Sequence, residues 1–413
     1  MAAVPPPMQT LRRTARSLGV LDRIRIGVLA AGLVFVATGL LPAGTARASI
    51  GRIAPLLLFL FSVIVLAELT KEAGVFDAIA QRMARAGRGS YAALFLLCVA
   101  FASLTTVFLN LDTTAVLLTP VMLALAARAG IATLPLAMTT VWLANTASLL
   151  LPVSNLTNLL AADRVALETR AFAARMWLPQ LAVLAVTMAL LWAFYWRRRM
   201  RGEDAYDPPD PVPVRDRVLF SATGGACLLF IGAILAGVHT GVQLGVAATA
   251  AAAVAVAAFA VRDRSALRPA LVPWQLMVFV TGLFLVVPTL ERWGLDDAMR
   301  ALVGHDGDAA GAFRAAFSGA GLSNVLNNLP AYVAGESAVP ASNKEQLLSL
   351  LIGTNVGPVI TPWGSLATLL WFEWCRRWDV RVPIRKFVLT GAVLAVLGCA
   401  ASVGALLLTG RAG

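Results

Sequence analysis

The chain has 413 residues, 59% hydrophobic and 14% charged, with a formal net charge of +12. Soluble domains carry about 25% charged residues, and disorder needs low hydrophobicity with high charge, so both classes are excluded. The apolar residues fall in blocks of roughly 20, the length an α-helix needs to cross about 30 Å of hydrocarbon. The ~10-residue alternating segments of a membrane β-barrel are absent. An all-α polytopic membrane protein is therefore expected in the lipid bilayer. The excess of basic residues reads as topology-setting loops, not as a nucleic-acid surface.

Residues 1–23 read as a cytoplasmic N-terminal segment, basic and without a small-residue cleavage site. A first membrane repeat is expected over 24–196, with apolar blocks at about 24–42, 52–69, 91–109, 113–128, 133–151 and 177–196. A charged, proline-rich stretch at 197–217 reads as a cytoplasmic linker. A connecting helix is expected over 218–240. A second repeat over 241–409 has blocks at about 241–261, 274–290, 311–334, 346–371 and 386–409. Gly237, Gly241 and Gly245, where the connecting helix meets the first block of this repeat, suggest close helix packing or a tight turn.

The halves align. NTASLLLPVSNLTNLL (Asn145 to Leu160) matches NVGPVITPWGSLATLL (Asn355 to Leu370) without gaps, pairing Asn145 with Asn355 and Pro152 with Pro362. Upstream, Leu104–Asp112 aligns with Leu322–Pro330, and the block ending at Glu68 corresponds to the one ending at Glu291. Such repeats build many secondary transporters. With a cytoplasmic N-terminus, and with 91–128 and 311–340 read as re-entrant hairpins, most Lys and Arg fall inside. Corresponding elements then cross in opposite directions, so the repeat is inverted. Tyr195, Trp196, Trp371, Trp374 and Trp378 are expected at the headgroup level beside Arg197, Arg376 and Arg377.

Two stretches break the helical rule, within about 133–166 and about 346–372. The first holds Pro152, Ser154, Asn155, Thr157 and Asn158, the second Gly357, Pro358, Thr361, Pro362, Gly364 and Ser365. Proline removes a backbone donor, and unwound backbone at membrane depth survives where it is buried in protein or lines a wet cavity. Two breaks at matched positions point to a substrate site. The hairpin tips offer the other wall: Asn110, Asp112 and Thr113 on the first, and Ser323, Asn324, Asn327 and Asn328 on the second. Asp112 is either an intramembrane carboxylate that carries a proton or contacts a cation, or a loop aspartate in a wet cavity. Glu68 and Glu291 end their blocks, so each is either an interfacial carboxylate or, for Glu68 in particular, a second proton-coupling candidate.

No HExxH, GxSxG or GxxxxGK[ST] motif is present, so neither an enzyme nor a resident cofactor or metal is expected. His239 and His305 lie in expected outer loops. The four cysteines, Cys98, Cys227, Cys375 and Cys399, lie in or beside separate apolar blocks and read as small buried hydrophobes rather than ligands.

The motifs GPVITPWGSLATLLW (Gly357 to Trp371), ANTASLLLPVSNLTNLL (Ala144 to Leu160), LAELTKEAGVFD (Leu66 to Asp77), LDTTAVLLTPVML (Leu111 to Leu123) and VLNNLPA (Val325 to Ala331) resemble those of the arsenite/antimonite efflux permeases of the ion transporter superfamily. The resemblance runs over about 52–371. In place of the family's frequent Asn-Asp at the first hairpin, this chain has Asn110-Leu111-Asp112. The resemblance implies an inverted-repeat fold with two re-entrant hairpins and two broken transmembrane helices, and elevator-like alternating access. It implies export of arsenite or antimonite against protons across the cytoplasmic membrane. Homodimers occur in the superfamily, and a soluble ATPase subunit in the family. A carboxylate carrier or a sodium/proton exchanger of the same fold is the nearest alternative, and a channel is the more remote one.

Overall fold

The computed structural model describes residues 20–197, 206, 214–240, 244–304 and 307–410. Every regular element among them is helical: α1 (Val20–Ala37), α2 (Ala43–Glu72), α3 (Val75–Ala86), α4 (Tyr91–Leu109), α5 (Leu111–Thr113), α6 (Thr119–Arg128), α7 (Thr133–Thr146), α8 (Leu156–Arg164) and α9 (Thr169–Leu191) before the linker. After it come α10 (Arg217–Thr240), α11 (Leu244–Arg262), α12 (Trp274–Leu290), α13 (Asp296–Val303), α14 (Ala309–Leu326), α15 (Asn328–Ala338), α16 (Lys344–Val356), α17 (Leu366–Arg377) and α18 (Ile384–Gly410). Among the described residues, five helical stretches are long and apolar enough to cross a membrane: Ala43–Glu72, Tyr91–Leu109, Thr169–Trp196, Gly245–Arg262 and Ile384–Thr409.

The chain forms two compact units, one ending at Ala54 and including Pro273–Leu290, the other Pro55–Val272 with Glu291–Gly413. Neither coincides with a sequence half, because the division passes through α2 and around α12. In the smaller unit, glycine brings α1 and α12 together: a Cβ on Gly32 would lie 2.7 Å from the Leu285 Cβ, and one on Gly282 would lie 2.5 Å from the Leu29 amide nitrogen. Close helix approach through small residues is how membrane helices gain contact where lipid is as apolar as leucine.

In the larger unit each repeat places a short amphipathic helix before its hairpin. On α3, Val75, Phe76 and Met83 are buried while Asp77, Arg82 and Arg85 are exposed. On α13, Met299 and Val303 are buried while Asp297 and Arg300 are exposed. The first hairpin descends through α4, turns at Asn110 and returns through α5, a π-helical stretch (Thr114–Leu118) and α6. The second descends through α14, turns at Asn327 and returns through α15. The long helices α9 and α18 pack together, the Ser402 hydroxyl donating to the Pro179 carbonyl (3.0 Å). Prolines inside α2, α9 and α12 (Pro55, Pro179 and Pro288) each remove one donor from their helix ladder.

Three residues of the expected aromatic belt are packed inside the protein. Tyr195, Trp196 and Trp371 are fully buried. Their polar tips find partners inside the protein: the Trp196 indole donates to the Thr139 hydroxyl (2.8 Å), the Trp371 indole to the Ala137 carbonyl (2.8 Å), and the Tyr195 hydroxyl pairs with that of Thr390 (2.8 Å). A satisfied indole has no need of the headgroup region. Trp378 is exposed, and Trp374 is covered by the Lys71 ammonium, 5.2 Å from its ring centre. In the linker, the Tyr206 ring is buried edge-on against Tyr91 at the foot of the first hairpin. Its hydroxyl donates to the Ala84 carbonyl (2.5 Å), and burial raises its pKa above the ordinary phenol value. Of the three connector glycines, Gly241 lies outside the described residues, and Gly245 approaches the Pro55 carbonyl.

Candidate functional site

Both hairpins turn on an asparagine with positive φ and extended ψ: Asn110 at 105° and 168°, Asn327 at 87° and 154°. Residues other than glycine rarely occupy this region, and holding one there costs on the order of 1–3 kcal/mol. Local bonds hold both turns. The Asn110 amide donates to the Thr106 carbonyl (3.2 Å), and its side-chain oxygen accepts from the Thr113 amide (2.8 Å). The Asn327 amide donates to the Ser323 carbonyl (2.9 Å), and its side chain donates to the Trp363 carbonyl (3.0 Å). The turns therefore equate Asn110 with Asn327, one residue earlier than the sequence alignment, which pairs Asn110 with Asn328. Backbone geometry, not side-chain identity, sets the register.

The broken helices meet at the same depth. α7 ends at Thr146, and after a turn at Pro152–Ser154, α8 begins with Asn155 as its cap, accepting from the Thr157 amide (3.2 Å). α16 ends at Val356, and after Gly357–Val359, α17 begins with Ser365 as its cap, accepting from the Thr368 amide (3.1 Å). Such caps satisfy amides that the helix start leaves without partners.

Side chains at the ends of α7 and α16 then cross between the repeats. The Asn355 oxygen accepts from the Asn155 amide group (3.0 Å) and the Thr157 hydroxyl (2.6 Å), while its nitrogen donates to the Asn158 oxygen (2.6 Å). Its repeat mate Asn145 donates to the Thr368 hydroxyl (3.3 Å) and to the Val141 carbonyl (2.9 Å). The alignment that pairs Asn145 with Asn355 also pairs Asn158 with Thr368. Each asparagine therefore bonds the equivalent position of the opposite half. Asn158 also donates to the Ser148 (2.6 Å) and Leu151 (2.9 Å) carbonyls that the break frees. All these side chains are buried.

The second hairpin tip is tied to its own break. The Asn324 side chain donates to the Ala320 and Gly357 carbonyls (both 2.8 Å) and accepts from the Thr361 amide (2.9 Å) and hydroxyl (2.8 Å). The Asn328 amide donates to the Gly364 carbonyl (2.8 Å), and the Trp363 indole donates to the Asn324 carbonyl (2.8 Å). Gly364 is required here, since a Cβ would lie 2.7 Å from the Pro358 carbonyl oxygen and 3.0 Å from the Asn324 oxygen. Ser323 is buried and bonds back to Ala320.

The first tip is held less completely. The Ser154 hydroxyl donates to the Val107 carbonyl (2.8 Å) and Thr106 bonds Thr114 (3.1 Å). The Asn110 nitrogen, the Thr113 hydroxyl and the Asn145 oxygen are buried without a hydrogen-bond partner. These atoms belong to elements that meet, as α5 packs against both α7 and α17. Asp112 sits half-buried in the first turn of α5, where a negative charge faces the positive end of a helix.

The structure thus brings together Asn110, Asp112 and Thr113 on one side, Ser323, Asn324, Asn327, Asn328, Thr361 and Gly364 on another, and Ser154, Asn155, Thr157 and Ser365 at the breaks. Glu68 belongs to none of these bonded groups. It lies near the end of α2, 3.9 Å from the Lys71 ammonium. The Glu291 side chain is outside the described residues. Asn145, Asn355 and Thr368 were not singled out as site residues from sequence, although the gapless alignment had already paired the two asparagines. The asparagine, serine and threonine side chains described here bond to neutral amides, hydroxyls and carbonyls. The centre presents neutral amides, hydroxyls and two helix N-termini.

Residues 18–353 match the family described as citrate transporter. The arsenical pump membrane protein of Yersinia enterocolitica is 31% identical over 355 residues, 81% of each chain. That of Escherichia coli K12 is 30% identical with the same coverage. The crystal structure of the Alcanivorax borkumensis YdaH transporter, described as revealing an unusual topology, superposes with a TM-score of 0.56 at 14% identity, covering 94% of this chain and 97% of that one. The chain belongs to the citrate transporter family together with the arsenical pump membrane proteins, and is a multi-pass membrane transporter with the ion-transporter fold, not an enzyme.

Proposed function

We propose that the protein exports arsenite or antimonite across the cytoplasmic membrane, driven by the inward flow of protons. One observation carries the substrate: the centre is built from neutral amide and hydroxyl groups, with buried donors and acceptors left over. Trivalent arsenic at neutral pH is an uncharged trihydroxide, and such a lining matches it without the desolvation cost of a buried charge. The names of the relatives support the same substrate class. A citrate-like substrate, which the family description favours, is the second reading. Two helix N-termini would attract its carboxylates, but no cation stands among the bonded residues to balance several negative charges.

The architecture supports elevator-like alternating access as the transport route. Hairpins and broken helices form one bonded group that can move as a body, and hinge or rigid-body motion of such groups is a common route to switching. Asp112 is the proton-carrying candidate, and the N-terminus lies on the cytoplasmic side. The test is uptake into everted membrane vesicles under an imposed proton gradient, with arsenite, citrate and sodium assayed in parallel. Arsenite accumulation that collapses with a protonophore is expected. Accumulation of citrate or sodium with arsenite ignored would overturn the substrate.

A further inference from the structure

The inverted repeat supplies two equivalent half-sites, and only one of them is open. In the second, Asn355 makes two acceptor bonds and one donor bond, all to buried partners. Asn324 is likewise engaged at both its oxygen and its nitrogen, and the Asn327 nitrogen is engaged by Trp363. A solute entering there would have to displace built hydrogen bonds. In the first half the repeat mate Asn145 is fully buried, its oxygen has no partner, and its one bond across the repeat is the long one at 3.3 Å. The Asn110 nitrogen and the Thr113 hydroxyl, 2% and 4% exposed as residues, are also without partners. A buried polar group left unsatisfied is costly, so three of them on packed elements mark a place where something else supplies the bonds.

We propose that the transporter binds a single solute per chain, in the first repeat only, with the Asn145 oxygen accepting a hydroxyl of the solute, the Asn110 nitrogen donating to it and the Thr113 hydroxyl doing either. This rests on the arsenite or antimonite reading. One acceptor, one donor and one group that can act as both are complementary to a neutral trihydroxide, whose hydroxyls also do both. Asn355 is the positioning counterpart. It fixes the start of α8, and it does not touch the solute.

The test uses the full-length protein in proteoliposomes and compares Asn145→Leu, Asn145→Asp and Asn355→Leu with wild type for initial arsenite uptake against concentration. Asn145→Leu removes the acceptor while keeping the branched shape and the number of side-chain heavy atoms, and the expected result is an apparent KM raised about tenfold, the effect of losing roughly one hydrogen bond to the solute. Asn145→Asp keeps an acceptor oxygen at the same place and should recover part of that loss. Asn355→Leu should lower the maximal rate and the melting temperature while leaving KM near the wild-type value. Equilibrium dialysis of wild type should give one arsenite per chain. An unchanged KM in Asn145→Leu, or two arsenites per chain, overturns the proposal while leaving arsenite transport intact. If Asn145→Leu does not fold, the wild-type stoichiometry decides alone. Wild-type protein that neither binds nor takes up arsenite overturns the proposed function and this inference with it.

Discussion

The two hairpins occupy equivalent places in the repeat and are held by different means. The second approaches its broken helix through glycine. Gly353 on α16 lies so close to Ala316 on α14 that a Cβ would overlap the Ala316 carbonyl, and Gly357 is packed against Ala320 in the same way. Across the alignment the equivalent positions of the first half are Leu143 and Ala147, which keep α4 and α7 farther apart. The second tip is then fastened to the 360–365 turn by bonds from Asn324, Asn327, Asn328 and Trp363. The first tip has fewer such ties, and a π-helical stretch follows it, a distortion that often marks functional positions. One half of an inverted repeat has been packed to hold still, and the other keeps polar groups in reserve.

Substitutions that erase this difference should have the largest effects. Gly353→Ala forces a methyl into the Ala316 backbone, and overpacking against backbone rather than a movable side chain should cost at least about 3 kcal/mol. Protein that fails to accumulate in the membrane, or melts far below wild type in detergent, is the expected readout, whereas Leu143→Ala in the first half should leave a folded protein. Asn355→Ala is next. It strands the Asn155 nitrogen, the Thr157 hydroxyl and the Asn158 oxygen in a buried site, at about 1–3 kcal/mol for each group that finds no substitute. Asn145→Ala removes weaker bonds and should cost about 1 kcal/mol. Thermal melts of the two variants side by side test the asymmetry, and equal losses would refute it. Asn324→Ala, which frees the Thr361 amide and hydroxyl, should fall between them, at about 2 kcal/mol.

Much of this architecture could be read from the residues. Apolar block length placed the helices, and the matched Pro152 and Pro362 within the blocks placed both breaks. The hairpin alignment located the second tip to within one residue. It missed the register because Asn327 and Asn328 are adjacent and chemically identical, while only φ and ψ distinguish the residue that turns. The site was legible as residue types but not as bonds. Asn145 and Asn355 stood in the alignment as a matched pair, yet nothing in the sequence says that one is saturated and the other is not, since that depends on distances to partners about 200 residues away in the chain. The buried Tyr195, Trp196 and Trp371 were misplaced for a related reason. Their neighbours in sequence are arginines, but the groups that satisfy them, Thr390, Thr139 and Ala137, are distant in the chain.

The smallest effects on stability test the comparison most sharply, because function should still separate the halves. Asn110→Gly and Asn327→Gly both relieve a strained turn, worth on the order of 1–3 kcal/mol. Each also loses one side-chain bond, to the Thr113 amide or the Trp363 carbonyl, worth about 1 kcal/mol. Both variants should therefore melt near wild type. Uptake should fall steeply in Asn110→Gly, which removes an unpartnered donor from the open half, and persist in Asn327→Gly. Asp112→Asn should change stability least, by less than about 1 kcal/mol, because the residue is only half-buried and the amide keeps the size and shape of the carboxylate. Gradient-driven uptake should nevertheless disappear while solute exchange without a gradient continues, since exchange needs the binding groups but not the proton carrier. Driven uptake at the wild-type rate in that variant would remove Asp112 from the coupling step and leave the binding half-site standing.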